Sequence, residues 1–320
     1  MKEGSRRVLL VSLCVVGLLV CASGCAVLTT SQVKEVESFA RITKEYTELP
    51  GALAESYGVL LRDNKLLSVS RYEYGKVGAR GGVDTGKSTK AWQELEEAYR
   101  LEVDFNETGK RMDAALGILK DYSAILSSLV SDEFTTALDE SAGKLGNSMD
   151  KAIEAYNKSY SPAKPLVKVG GNIGLVIRAA GGVYIRHRQD EIFREIIEKA
   201  NPLIEGLMDE VAMIASEKFK PALSNYETNY LGSTFLSVAN DSKRIDYATI
   251  MLVYEDLKRV KTTAILADQV AQSAHTYKRA HGQLARNIRQ PVDLKNLIEE
   301  VGTLEKEIQA AQKVKKSIGS

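Results

Sequence analysis

The sequence predicts an all-α fold, an elongated antiparallel helical bundle with coiled-coil-like heptad seams. Apolar residues recur at alternating steps of three and four over long stretches, which is the spacing of one helix face. No stretch alternates apolar and polar residues as a half-buried strand does. Six prolines and 27% charged residues make a composition typical of well-solvated helices rather than of disorder.

The first element is predicted from an apolar stripe that a proline and a glycine interrupt. The stripe consists of Phe39, Ile42, Tyr46, Leu49, Leu53 and Leu60. Pro50 and Gly51 fall inside it, and proline lacks the N–H that an interior helical position donates. We therefore expect a kink or a break near Pro50.

A second stripe predicts a long helix after a polar, glycine-rich loop at residues 75–86. Its members are Leu101, Phe105, Thr108, Met112, Ala115, Leu119, Tyr122, Leu126 and Leu129. Helix boundaries are then predicted at the two-proline segment 160–165, at Asn201–Pro202 and at Gln290–Pro291. Pro221 lies inside a helical pattern, where we expect it to bend the helix.

Two more stripes predict the last two helices. The first consists of Ile250, Val253, Leu257, Val260, Ala264, Ala267, Ala271, Ala274, Lys278, His281, Ala285 and Ile288. Its four successive alanines allow a neighbouring helix to approach closely. The second consists of Leu294, Leu297, Val301, Leu304, Ile308, Ala311, Lys315 and Ile318. The two longest helices are expected to have about 40 residues and to be roughly 60 Å long.

The chain begins with a segment that is typical of export. Basic residues at positions 2, 6 and 7 precede an apolar run over 8–20, and Ala22, Ser23 and Gly24 precede Cys25. This arrangement resembles the signal peptide of bacterial lipoproteins over the first 25 residues. The resemblance implies cleavage after Gly24 and a diacylglycerol on the sulfur of Cys25. An ordinary cleaved signal and an uncleaved membrane helix are the alternatives.

The resemblance also implies how the chain is divided into segments and where the protein is located. Residues 1–24 become the signal peptide, 25–31 the lipidated terminus and a short tether, and 32–320 a single helical-bundle domain. Ala26 rather than aspartate follows the cysteine. In a host with two membranes this implies sorting to the outer membrane, where we expect the periplasmic side.

Cysteine content and charge exclude several classes of function. The other two cysteines, Cys14 and Cys21, leave with the signal, so the mature body has no thiol for a disulfide or a nucleophile. Cleavage leaves 40 basic and 41 acidic residues. A nearly neutral chain lacks the basic stripe that phosphate contacts need, and we expect no nucleic-acid partner.

Residues Gly81–Ser88 match the phosphate-loop pattern G-x-x-x-x-G-K-[ST]. That motif needs a buried strand before it, so that backbone amides and a helix start converge on the phosphates. The preceding residues 71–76 are polar and unlike a buried strand. We therefore interpret Gly81–Ser88 as a flexible loop and do not expect nucleotide binding.

The sequence contains no recognisable catalytic or metal-binding pattern. His275 and His281 are six residues apart, on different faces of a helix, and no Glu-x-x-His accompanies them or His187. The abundant carboxylates fall on the faces that the repeats leave exposed. We expect no enzyme, no metal and no cofactor, and we expect His281 to be buried or partly buried.

Residues 167–185 are apolar and rich in glycine, with Arg178 near their centre. Close helix packing is the first interpretation, because glycine lets backbones approach. A partner-binding patch and a segment that enters a bilayer are the alternatives, and Arg178 makes permanent insertion costly.

Together these features predict a membrane-anchored envelope lipoprotein whose helical body is a non-enzymatic scaffold or protein-interaction module. The alternative function is a membrane-active, pore-forming-like helical protein that uses residues 167–185.

Overall fold

The computed structural model describes residues 30–69, 85–130, 137–160, 165–180, 185–232, 235–236, 240, 247–289 and 294–318. The regular structure in these ranges is helical, and no strand occurs among them, so the all-α prediction is confirmed. The helices are α1 (Thr30–Tyr46), α2 (Leu49–Val69), α3 (Thr85–Val130), α4 (Ala137–Tyr160), α5 (Gly170–Ala180), α6 (Ile185–Met213), α7 (Lys220–Asn225), α8 (Tyr247–Arg289) and α9 (Leu294–Ile318). Two π-helical segments, Ile214–Phe219 and Tyr226–Gly232, flank α7.

Two very long helices give the bundle its length. Helix α3 has 46 residues and helix α8 has 43. With a rise of 1.5 Å per residue, they measure about 70 and 65 Å. The predicted elongated shape therefore follows from two continuous helices.

Polar contacts between neighbouring helices show that they pack antiparallel. On α8 and α9, Arg279 pairs with Glu300, while Gln272, earlier in α8, bonds to Glu307, later in α9. The same reversed order holds for α2 with α3 and for α6 and α7 with α8, through the pairs Arg62–Glu102, Lys65–Glu97, Lys278–Asp209 and Lys220–Asp268. The predicted antiparallel bundle is confirmed for these helices.

The contacts of α1 and α2 with α8 define two ends of the bundle. The ring of Phe39 lies 4.9 Å from that of Tyr277, in the C-terminal half of α8. Further along the chain, Asp63 pairs with Arg259 near the start of α8. We call the end that contains Thr30 the near end and the end that contains Val69 and the start of α8 the far end.

The predicted stripes supply part of the core, and residues of α4 and α6, for which no stripe was predicted, supply much of the rest. In α1 and α2, every stripe residue from Phe39 to Leu60 is buried, and in α9 so are Leu297, Val301, Leu304, Ile308 and Ala311. Ala267, Ala271 and Ala274 of the alanine stripe are buried in α8. Each fully buried leucine or isoleucine contributes roughly 1.5–3 kcal/mol. A smaller cluster lies at the far end and contains Leu60, Leu223, Tyr226, Leu231 and Val260.

The break expected near Pro50 is confirmed. Helix α1 ends at Tyr46, and α2 begins at Leu49, so that Pro50 lies in the first turn of α2. Proline is tolerated there because first-turn N–H groups have no intrahelical partner.

The boundary predicted at Asn201–Pro202 is wrong. Helix α6 runs through Pro202 without interruption from Ile185 to Met213. Pro202 is exposed, whereas Ala200 and Leu203 beside it are buried in the core. Packing of the neighbours holds the helix together despite the hydrogen bond that proline removes.

Pro221 follows a local change of helical winding. The N–H of Lys220 bonds to the carbonyl of Ala215, five residues earlier, at the end of the π-helical segment. Such wide turns accommodate a residue that cannot continue the α-helical ladder. The sequence indicated a disturbance at this position, and its form is a π-helical segment.

Candidate functional site

Helix α3 presents an apolar stripe to solvent near its start. Trp92, Leu95, Tyr99 and Val103 follow one another at steps of three and four, which places them on one face. Trp92 is 62% exposed and Tyr99 is 71% exposed. The core is contacted by a different face of the same helix, which contains the buried Ala91 and Ala98. We call these four exposed residues the α3 stripe.

Once it leaves the far end, the same face of α3 has no large apolar side chain among the described residues. Its continuation contains Asn106, Lys110, Asp121 and the exposed Ala124. A helix face that simply points to water would be polar along its whole length. The apolar character is therefore confined to the part of this face nearest the far end.

Helix α8 exposes a second apolar stripe at the same end. Tyr247, Ile250, Tyr254 and Leu257 are between 37% and 76% exposed. The sequence predicted Ile250 and Leu257 as core residues, and for these two the prediction is wrong. Helix α9 runs antiparallel to α8 with Glu307 opposite Gln272, so α9 ends before it reaches the first turns of α8.

Exposed large apolar side chains are concentrated at the far end. Among the described residues there are sixteen, and ten of them lie on α2, α3 and α8 at this end: Leu66, Trp92, Leu95, Tyr99, Val103, Tyr247, Ile250, Leu252, Tyr254 and Leu257. Single exposed apolar residues are common on proteins, but large groups of them mark interaction sites. We call this set the far-end surface.

A cavity of about 500 Å³ lies in the far-end surface between α2 and α8. It is lined by Asp63, Leu66, Met251, Leu252, Glu255, Asp256 and Arg259. Leu66 of α2 and Met251 and Leu252 of α8 form its apolar lining. The other lining groups are three carboxylates and the guanidinium of Arg259. The cavity thus continues the apolar surface inward.

Ion pairs fix the two helices on either side of this cavity. Arg62 bridges Glu102 of α3 and Asp63 of α2, at 2.8 and 2.7 Å. Arg259 of α8 pairs with Asp63 and lies 3.4 Å from the buried Asp256. Burial, reinforced by the nearby charge of Asp63, raises the pKa of Asp256 to about 6. The network therefore holds α2, α3 and α8 in register at the far end.

Comparison with known proteins identifies no relative of this chain. No family model, curated protein or solved structure matches this chain. What the far-end surface does is therefore argued from its own chemistry.

His281 lies in the core, where its burial was predicted, and bridges three helices. Its Nε2 is 2.7 Å from the hydroxyl of Tyr122, and its Nδ1 is 2.9 Å from Oδ1 of Asn201. Asn201 donates its amide to Glu205, which orients Oδ1 as an acceptor. Nδ1–H therefore donates to Asn201, and Nε2 accepts from Tyr122. Burial lowers the pKa of His281 to about 3.

Of the remaining histidines, only the side chain of His275 lies within the described residues. His275 is exposed, and the side chain of His187 lies outside the described residues. Across the described ranges, no group of three or more His, Cys, Asp or Glu side chains is placed to hold a metal ion.

The glycine-rich segment packs closely at its start. A Cβ added to Gly146 would lie 2.3 Å from the carbonyl oxygen of Gly170, and Asp150 accepts the N–H groups of Gly170 and Gly171 at 2.8 Å. The predicted close packing is therefore present here. Leu175 is nevertheless 59% exposed, so α5 is not buried on all sides.

Other predicted sites lie wholly or partly outside the described residues. This holds for Cys25, for Gly81–Asp84 of the phosphate-loop pattern and for the side chain of Arg178. Lys87 and Ser88, which complete that pattern, belong to the first turns of α3. None of the described helices combines the length and apolar character that crossing a membrane requires.

The far-end surface was missed at the level of sequence, although a signal for it is visible. Helix α3 carries two apolar stripes in its first half, one with Ala98 and Phe105 and the other with Trp92 and Tyr99. A helix that packs against the core with one face requires a single apolar stripe. The second stripe was the sign of an additional contact surface.

Proposed function

We propose that this chain is a lipid-anchored envelope protein whose helical body binds another protein at its far end and has no enzymatic role. The observation that carries the proposal is the concentration of exposed apolar and aromatic side chains in the far-end surface. Tryptophan and tyrosine are enriched at protein interfaces, and buried aromatic anchors supply much of the binding energy.

The position of Thr30 supports this arrangement. Thr30 lies at the near end, five residues after Cys25, so a lipid on that cysteine places the near end at the membrane. Helices α1 and α2 span residues 30–69 and run toward the far end for about 60 Å. The body then works as a spacer that presents its binding surface away from the membrane.

The anchor itself remains a proposal from the lipoprotein-like signal. In a host with two membranes, Ala26 favours the outer membrane, and the periplasm is the side on which we place the body. Replacement of Cys25 with serine should move most of the protein from the membrane to the soluble fraction or leave an unprocessed precursor. Metabolic labelling with palmitate measures the modification, and labelling that persists in Cys25→Ser would contradict the anchor.

A photocrosslinking amino acid at Tyr99 should capture a partner protein in living cells. The matched control is the same amino acid at Ala124, which is exposed on the same face of α3, about 37 Å nearer the near end. We expect one adduct of defined mass from position 99 and none from position 124. Equal capture from both positions, or no capture from Tyr99, Ile250 or Tyr254, would refute far-end binding.

The alternative, a membrane-active protein that uses residues 167–185, stays a prediction with less support. The close contact of Gly146 with Gly170 and the hydrogen bonds of Asp150 favour a segment that stays packed. Release of dye from liposomes by the purified mature protein would favour the alternative.

A further inference from the structure

The α3 stripe lies in an acidic surrounding. Residues 89–107 contain six carboxylates against two cations, a net charge of −4. Glu96 and Glu107 flank the stripe on one side by helical position, and Glu102 flanks it on the other. The apolar stripe is therefore bordered by negative charge along its length.

Only part of this charge is neutralised within the molecule. Glu97 and Glu102 pair with Lys65 and Arg62 of α2. Glu96 accepts a hydrogen bond from the indole of Trp92, and Glu107 makes no ion pair with the described side chains. Arg100 lies on the same border, four residues after Glu96. Two carboxylates against one cation leave the outer border of the stripe with a net charge of −1.

We propose that the α3 stripe binds an amphipathic helix of another protein, with apolar residues at steps of three and four and lysine or arginine on the border that faces Glu96 and Glu107. This proposal rests on the proposed function and specifies the partner's chemistry. The stripe runs over twelve residues from Trp92 to Val103, about 16 Å or three helical turns, which fits one partner helix. Apolar contacts supply the affinity, and opposite charges select the partner and its register.

A second copy of this chain is a poorer occupant. Two α3 stripes packed on each other would bring their acidic borders together, which is unfavourable. Lys258 and Lys261 lie beside the exposed apolar stripe of α8, which runs from Tyr247 to Leu257. Both lysines have intramolecular partners, Glu255 and Glu227. A helix with free basic residues therefore suits the stripe better than either surface of a second copy.

Trp92 allows a direct test, since it is the only tryptophan of the chain and belongs to the stripe. The mature lipidated protein in phosphatidylcholine nanodiscs would be titrated with three peptides of about 18 residues, or five helical turns. One has leucine at steps of three and four with lysine along one border of the leucine face. The second replaces lysine with glutamate, and the third contains the lysine composition in scrambled order.

We expect a saturable blue shift of Trp92 emission with the first peptide and binding about tenfold weaker or less with the other two. Glu96→Lys with Glu107→Lys should weaken the first peptide by about tenfold. A double variant of equal charge change elsewhere, Glu195→Lys with Glu299→Lys, should leave its affinity unchanged, because both carboxylates are exposed far from the stripe.

Four outcomes would overturn the inference. Equal binding of the acidic peptide would show an apolar contact without charge selection, and equal binding of the scrambled peptide would show unspecific attraction. A shift of Trp92 emission with protein concentration alone would identify a second copy as the occupant. If no peptide shifts Trp92 while Tyr99 still captures a partner in cells, the basic-helix assignment is wrong and far-end binding stands.

Discussion

Replacement of Gly146 with alanine is expected to lower the free energy of unfolding by about 2–4 kcal/mol. The added Cβ would lie 2.3 Å from the carbonyl oxygen of Gly170 and 2.9 Å from its carbonyl carbon. Both atoms belong to the backbone, so α4 and α5 would have to separate by about 1 Å to reach ordinary contact. Urea unfolding followed by circular dichroism measures the change.

Gly117→Ala is the matched control for this substitution. Gly117 lies inside α3, and a Cβ there meets no atom within 4 Å. Alanine has the higher helix propensity, so this variant should gain roughly 0.5–1 kcal/mol. If both variants change stability by the same amount, the contact between Gly146 and Gly170 does not limit the approach of α4 and α5.

Acidification is expected to destabilise the protein through His281. Its folded pKa of about 3 lies below its ordinary value of 6.5, because the buried ring is kept neutral. The unfolded chain therefore binds more protons between these values, and the contribution to stability is lost as pH falls from about 6.5 toward 3. From pH 7 to pH 4, this amounts to about 3 kcal/mol.

The effect must be isolated by comparison with a variant, since two carboxylates act in the opposite direction. Burial raises the folded pKa of Asp113 and of Asp256 to about 6, so each favours folding more as pH falls through 6 toward 4. His281→Gln keeps a polar side chain in the core but does not titrate. The stability of wild type minus that of His281→Gln should fall by about 3 kcal/mol between pH 7 and pH 4. A constant difference would contradict the neutral, buried state of His281.

Much of the fold was predictable because the spacing of apolar residues along the chain shows which helix face packs against the core. The residues from Phe39 to Leu60 and from Leu297 to Ala311 repeat every three or four positions, and the structure buries them as predicted. Pro50 marked a real break, because a proline near a helix start can begin a helix. Pro202 marked none, because the burial of Ala200 and Leu203 holds α6 continuous.

The candidate site was predictable only in part. The sequence indicated an anchor at Cys25 and an interaction module, but it placed Ile250 and Leu257 in the core. Whether a stripe is covered depends on where neighbouring helices end, and α9 ends short of the start of α8. No local pattern contains that information.

Local spacing in the sequence was enough to establish the helical class and the core-facing stripes. It also predicts an exported, lipoprotein-like start. These are properties of consecutive residues, since a helix fixes its faces through its own turn. The tertiary structure decided which apolar stripes stay exposed, that Gly146 meets Gly170, and that His281 bonds to Tyr122 and Asn201. Those contacts join separate helices, and they depend on the lengths of the helices and on the angles at which the helices cross.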